Sequence, residues 1–370
     1  MASYPAYLSR ISVLQERIKR LDLECAVIRT LSDFKYLMGF KWLRPMLLIP
    51  ADGPLTAFVA RGEEDGFLER SKIRDLALIP YTDGSDLMGK VSSAIRTLRA
   101  RKVGMAFRAE RDSYVSYHEM FKSVEKSVEV VDISPVLSEL RALKDDYEIE
   151  LIRKAGEVSS RVLEEALSVA TEGSSETDIA AEAYRKAFKL GSEEPLIYVN
   201  VGPHPRAHAE PMNDVVVKRG VLVTVVVASD HEGYYANTSA SMFVGSSPSE
   251  DVKRGFECVK EAYVKARESM RAGRGFHELI KGVDEVYMRY GLLSRRLTEY
   301  VHGVGLRPEE YPVITTTSAP QVGRVKEGMV LASVHTPLML KGCGSLKLED
   351  TFIVTKEGLE EVTKARKLIE

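Results

Sequence analysis

Between residues 6 and 21, Leu8, Ile11, Leu14 and Ile18 recur at three- and four-residue steps, the period of an amphipathic helix. Short apolar runs follow at 25–28, 46–49 and 55–59, with Pro, Gly and Asp between them, which reads as strands separated by turns. Further strands are predicted at 103–105 and 128–132. Helix and strand in alternation predict a small α/β domain. From 147 to 170 the pattern changes. Ile149, Ile152, Ala155, Val158, Val162, Ala166 and Val169 share one stripe with charges elsewhere, so a long helix should lie on a sheet. Ser175 with Asp178 three residues on starts a second helix through Lys189 in the manner of a capping box. Two more helices are predicted at 251–270 and 276–290, broken at 273–275, and strands lie between and after them.

Bulk properties narrow the picture. At 370 residues the chain is long enough for two domains. With 44% hydrophobic and 29% charged residues and a net charge of -2, it has an ordinary globular composition. A sequence pI near 6.4 supplies no overall basic field to attract nucleic acid or anionic lipid. The start, MASYPAYLSRIS, has no apolar core behind a basic end, and the longest apolar run, 221–228, is interrupted by Thr224. Both features predict a cytoplasmic protein with no membrane partner. Cys25, Cys258 and Cys343 are odd in number and lack ligand spacing, so buried free thiols are expected. Amide side chains are limited to Gln15, Gln321, Asn200, Asn213 and Asn237 amid abundant Glu, Lys and Arg, a composition expected of a thermophilic source.

Three segments carry a family resemblance: 221–245 (VLVTVVVASDHEGYYANTSASMFVG), 300–312 (YVHGVGLRPEEYP) and 328–355 (GMVLASVHTPLMLKGCGSLKLEDTFIVT). In order and wording they resemble the two-aspartate hairpin, the His-Gly-x-Gly turn and the two glutamate strands of the creatinase/prolidase/methionine-aminopeptidase (M24) family. Residues 31–40 (LSDFKYLMGF) and 133–144 (ISPVLSELRALK) resemble that family's N-terminal domain and inter-domain segment. The resemblance implies an α/β N-terminal domain (1–135), a linker (136–146) and an α+β pita-bread domain (147–370) with a curved antiparallel sheet. It also implies a homodimer. Trp42, flanked by Lys41 and Arg44, is a candidate for a partly exposed rim.

Active members hold two divalent ions with Asp, Asp, His, Glu and Glu. Carried over residue by residue, these positions fall on Val226, Asn237, His302, Val334 and Glu349, so only His302 and Glu349 keep ligand-type side chains. Val226 and Asn237 are eleven residues apart around the 230–234 turn, the family's own separation, so strand register is kept while charge is removed. Two close divalent ions repel unless several carboxylates neutralise them. No dinuclear cofactor is therefore expected, and at most one weakly held ion. His302 is expected to pair with Glu349. Asp230 and Glu232 are read as solvated turn residues rather than replacement ligands, and His335, next to Val334, should face away.

The loop 201–214 (VGPHPRAHAEPMND) resembles the one carrying the family's substrate-side histidine, which falls on His208, the best acid/base candidate; His204 has a weaker claim. Other pocket positions also depart from the family. Its second histidine falls on Glu309, with Glu310 beside it, its Thr-Arg-Thr reads Ser239, Ala240 and Ser241, and its arginine near the last glutamate reads Lys347. Metal-free creatinase shares the His208 and Glu349 matches and the GYY at 233–235, but its hairpin glutamate falls on Ser239, which disfavours a guanidinium ligand. Three readings follow. The chain is an Xaa-Pro peptidase relative that has lost dinuclear catalysis and keeps a pocket for a small polar ligand or short peptide; or a metal-independent C–N hydrolase using His208 with Glu349 and His302; or an active Xaa-Pro dipeptidase with non-standard ligands.

Overall fold

Runs of alternating or wholly apolar residues build two main sheets, one in each unit of the chain, and a small separate hairpin. The computed structural model describes residues 4–29, 34, 37–38, 40, 42, 45–105, 141–245, 247–319, 323–333 and 337–364. It divides into two units, Met1–Asp132 and Ile133–Glu370. The strand predicted at 128–132 and the segment 133–140 lie outside the described residues, as do Val334 and His335.

In the first unit, α1 (Tyr4–Arg20) precedes β1 (Cys25–Ile28), β2 (Leu47–Pro50) and β3 (Leu55–Ala60). Then come α2 (Glu64–Arg70), β4 (Leu76–Tyr81), α3 (Gly84–Thr97) and β5 (Val103–Met105). The sheet order is β4-β3-β2-β1-β5, with β4 and β5 parallel to their neighbours and the inner pairs antiparallel. Ile11 and Ile18 of α1 enter its core, as the three- and four-residue spacing requires. Trp42 corrects the sequence reading: it is buried, 6% exposed, against Phe40 and Phe67 at centroid separations of 6.0 and 5.2 Å. Edge-to-face aromatic contact of this kind outweighs the pull of charged neighbours in sequence.

In the second unit, α4 (Asp146–Ser168) and α5 (Glu176–Lys189) precede β6 (Leu196–Val201), β7 (Val221–His231) and β8 (Tyr234–Val244). Helices α6 (Glu250–Ser269) and α7 (Phe276–Arg289) follow, then β9 (Glu299–Gly303), β10 (Glu310–Thr315), β11 (Val330–Ser333), β12 (Leu338–Leu340), β13 (Gly344–Leu346), β14 (Glu349–Val354) and β15 (Leu359–Glu361). The curved antiparallel sheet runs β10-β9-β11-β14-β8-β7-β6, with β15 added to β14 and a β12–β13 hairpin apart.

Local chemistry starts each long helix. The Asp145 and Ser175 side chains each accept a backbone N–H three residues on, and Glu148 and Asp178 reach back to close the box; each cap contributes about 1 kcal/mol. Val223, Val225, Val227 and Ala240 share a core with the apolar stripes of α4 and α5, and Val301, Leu331 and Phe352 share one with α6 and α7. Full burial of each Val, Leu or Phe contributes about 1.5–3 kcal/mol, enough to fix which face of every strand turns away from the helices. Among the described residues no helix is long and apolar enough to cross a membrane.

Candidate functional site

Side chains on a strand alternate faces, and the residues opposite the helix-packed set converge on the concave side. On the β7–β8 hairpin Thr224 pairs with Ser241, Val226 with Ser239 and Ala228 with Asn237. The hairpin turns at Glu232 and Gly233, whose φ values are 49° and 80°. On β14, Glu349 lies opposite Ser239, and on β9 His302 lies opposite Ala332. The frame read from sequence is therefore assembled, with Val226, Asn237, Ser239, His302 and Glu349 on one sheet face; Val334 lies just past the described end of β11.

These positions are deeply buried: Glu349 is 0% exposed and His302 2%. His302 Nε2 faces Glu349 Oε1 at 3.5 Å, and its Nδ1 lies 3.0 Å from the Gly303 carbonyl oxygen. Burial pulls the imidazole toward the neutral form, but the Glu349 carboxylate, the Glu309 charge and the Gly303 carbonyl outweigh it and leave the His302 pKa above its ordinary value. A side chain at Gly303 would strike the Tyr311 carbonyl, so the glycine after the histidine is what lets β9 and β10 close here. Asn237 donates from Nδ2 to the Pro308 carbonyl at 2.9 Å. Its Oδ1 and Ser239 Oγ are buried with no hydrogen-bond partner among the described residues.

Lys347 changes the chemistry of the site. It is 2% exposed, and its Nζ lies 2.5 Å from Glu349 Oε2 and 3.1 Å from His208 Nε2. An ammonium can only donate, so His208 Nε2 accepts, and in this arrangement the lone pair a general base would use is engaged. Lys347 thus links Glu349 to His208, a contact that the family resemblance does not imply.

The loop after β6 delivers His208. Its anchor is Glu176, 0% exposed, which accepts the Val201 N–H at 2.7 Å, the Met212 N–H at 3.0 Å and the Arg206 guanidinium. Burial pushes the Glu176 carboxyl above its ordinary pKa against the pull of Arg206. Asn200 Oδ1 accepts the Arg206 N–H at 3.2 Å and the Ser345 hydroxyl at 2.8 Å, tying the loop to β13. His208 itself has φ 49° and packs 5.5 Å from the Tyr198 ring; a non-glycine residue in that region is held there by its surroundings. Tyr198, Asn200, Arg206, His208, Val226 and Lys347 help line a narrow cleft that opens to solvent.

Other candidates lie elsewhere. Glu309 is exposed, while Glu310 is committed to Arg141 and, at 2.9 Å, to the buried Lys144 ammonium. Asp230 is not the solvated turn residue expected: it is 1% exposed and accepts the Ser192 hydroxyl at 2.6 Å and the Glu193 and Glu194 N–H groups at 3.0 and 2.9 Å. A carboxylate saturated in this way closes a loop. Glu232 is exposed, His204 half-buried, and of the thiols Cys25 and Cys258 are buried whereas Cys343 is half-buried.

Two divalent ions would need several carboxylate and imidazole donors within reach of one another. Among the described residues no group of three or more His, Cys, Asp or Glu could hold an ion. His302 and Glu349 are the ligand-type pair present, and Lys347 is paired to the second of them. The described residues do not fit a dinuclear centre.

This fold and strand frame define a class, and comparison with known proteins identifies it. Residues 150–356 match the metallopeptidase family M24 and residues 10–143 the creatinase/prolidase N-terminal domain. The chain belongs to metallopeptidase family M24. It is 29% identical over 252 residues to an Xaa-Pro dipeptidase of Pyrococcus furiosus, spanning 67% of this chain and 71% of that one. It is 26% identical over 365 residues to a probable dipeptidase PepE of Mycobacterium tuberculosis, spanning 96% and 94%. Among solved structures, a prolidase from Pyrococcus horikoshii superposes with a TM-score of 0.64 at 23% identity, covering 97% of this chain and 99% of that one. An X-Pro aminopeptidase from Thermotoga maritima gives 0.61 at 22%, covering 95% and 100%.

Proposed function

We propose that this chain is an Xaa-Pro dipeptidase-like member of M24 whose pocket works without the family's dinuclear metal chemistry, as a binding site for a short peptide or small polar ligand. The observation that carries this reading is the Lys347 ammonium 2.5 Å from Glu349, on a sheet face where Val226 and Asn237 stand in the aspartate positions. Valine has no donor and Asn237 offers one neutral oxygen, so the charge needed to hold two ions together is missing. A narrow cleft beside this face opens to solvent. Most of the surface it exposes is apolar, with Asn200, Arg206, His208 and Lys347 among the lining residues, a pattern in which few polar contacts orient a small ligand. A homodimer in the cytoplasm is part of the same reading, supported by the family resemblance and the chain's composition, and the scarcity of amide side chains supports a thermophilic source.

Metal analysis of the purified protein and Xaa-Pro dipeptide hydrolysis with added manganese or cobalt test it. The expected result is substoichiometric metal and no turnover above background. Turnover that a chelator abolishes would instead establish an active dipeptidase with non-standard ligands.

A second reading, metal-independent C–N hydrolysis, is favoured by the burial and positive φ of His208 beside Lys347 and Glu349. It requires Lys347 to release the His208 lone pair before the imidazole can take a proton. Small amides and guanidino compounds assayed with wild type and His208→Ala decide it. Hydrolysis that survives the substitution removes His208 from the reaction.

A further inference from the structure

The family resemblance places Lys347 where other members carry an arginine near the last glutamate; the geometry gives it another task. We propose that the Lys347 ammonium is a built-in counter-ion: it supplies the positive charge that divalent ions supply in M24 metallopeptidases, and it occupies the space an ion on Glu349 would need. This deepens the metal-independent reading and rests on it.

Three observations carry the inference. Glu349 is 0% exposed, and an ionised carboxylate taken out of water persists only with a partner charge. Lys347, two residues earlier and 2% exposed, provides one at 2.5 Å. An ion coordinated by the same Oε2 would sit roughly 2.0–2.2 Å from it, inside the volume Nζ already fills, so ion and ammonium exclude each other. The charge count agrees as well. One ammonium against one carboxylate closes without further acids, whereas two divalent ions need several, and Val226 and Asn237 are uncharged. Finally, Nζ also reaches His208 Nε2 at 3.1 Å, so the same ammonium that neutralises Glu349 ties it to the loop that carries His208.

Removing the ammonium should therefore open a cation site. In Lys347→Met, Glu349 and His208 border the emptied space with His302 beside them, and a single ion is expected to enter. The experiment titrates cobalt(II) chloride into the 370-residue chain and into Lys347→Met and Lys347→Arg, read by calorimetry and visible absorption, with circular dichroism to verify folding. Wild type and Lys347→Arg are expected to take up no stoichiometric cobalt, and Lys347→Met to bind at least about tenfold more tightly, roughly 1.4 kcal/mol. If wild type and folded Lys347→Met both bind nothing, the counter-ion role is overturned while the metal-independent reading stands. If wild type binds two ions tightly, both are overturned. Should Lys347→Met fail to fold, wild-type crystals soaked in manganese(II) decide the matter. Anomalous density beside Glu349 with Lys347 swung aside overturns the proposal, and Nζ in place with no such density supports it.

Discussion

Glu176 holds the His208 loop by closing three bonds from three different points of it, on Val201, Arg206 and Met212. Replacing it by alanine would leave the Arg206 guanidinium, 6% exposed, without its charge partner in a dry setting. Breaking a buried pair from one side costs about 3–5 kcal/mol, so Glu176→Ala is expected to lower the urea midpoint by that equivalent; a loss under about 1 kcal/mol would show that the loop is held by other contacts. This anchor was not legible in the sequence, because Glu176 and Arg206 stand thirty positions apart and no short pattern joins a helix start to a distant loop. His302 and Glu349 were legible, since their neighbours carry family wording. The Lys347–Glu349 contact lies between these cases: residues two apart near a strand share a face, which the KLE spacing permits without requiring. Asp230 and Trp42 misled for one shared reason. Flanking polarity predicts exposure only on average, and each of these side chains found enough partners to be buried.

At the scale of elements, the periodic helices and the capped starts were readable because their causes are local. The 147–170 stripe becomes α4, and the Ser175–Asp178 box starts α5. Helices α2 and α3 mix apolar and charged residues without a sustained period, whereas β4 (LALIPY) is an unbroken apolar run whose signal equals that of β3. Docking of α4 also depends on Gly156, where a side chain would collide with the Val362 carbonyl and side chain. Gly156→Ala is therefore expected to destabilise the fold by about 1–3 kcal/mol despite the better helix propensity of alanine, measurable as a lowered urea midpoint. The same helix is clipped to β15 by Arg153, which donates to Glu360 at 2.6 and 2.8 Å. That guanidinium holds the Glu360 carboxyl below its ordinary pKa of 4.5. A depressed carboxylate contributes stability that is fully present above the unfolded value and is lost as pH falls through the folded one. The pair is partly solvent-exposed, so its contribution is screened to about 0.5 kcal/mol. Urea midpoints of wild type and Glu360→Gln are expected to differ by that small amount at pH 7 and to converge in acid below pH 4.5; a gap that persists unchanged in acid would point to packing rather than charge.

For the whole molecule, the replacement of metal charge by lysine charge has a thermodynamic signature independent of any assay substrate. An ion that binds only the folded state stabilises it by about 2.7 kcal/mol when present at about a hundred times its dissociation constant. In a unit the size of Ile133–Glu370 each kcal/mol moves the melting temperature by about 2–4 °C, so a metal-dependent fold should rise by roughly 5–10 °C with saturating ion. Here Lys347 and Glu349 are ion-paired before any ion arrives, and an entering cation would have to displace the ammonium from a buried partner. Melting curves of the protein with EDTA and with millimolar manganese are therefore expected to coincide within about 2 °C. A rise of several degrees with manganese, reversed by the chelator, would mean that the folded state holds a metal after all and that Lys347 yields its place to it.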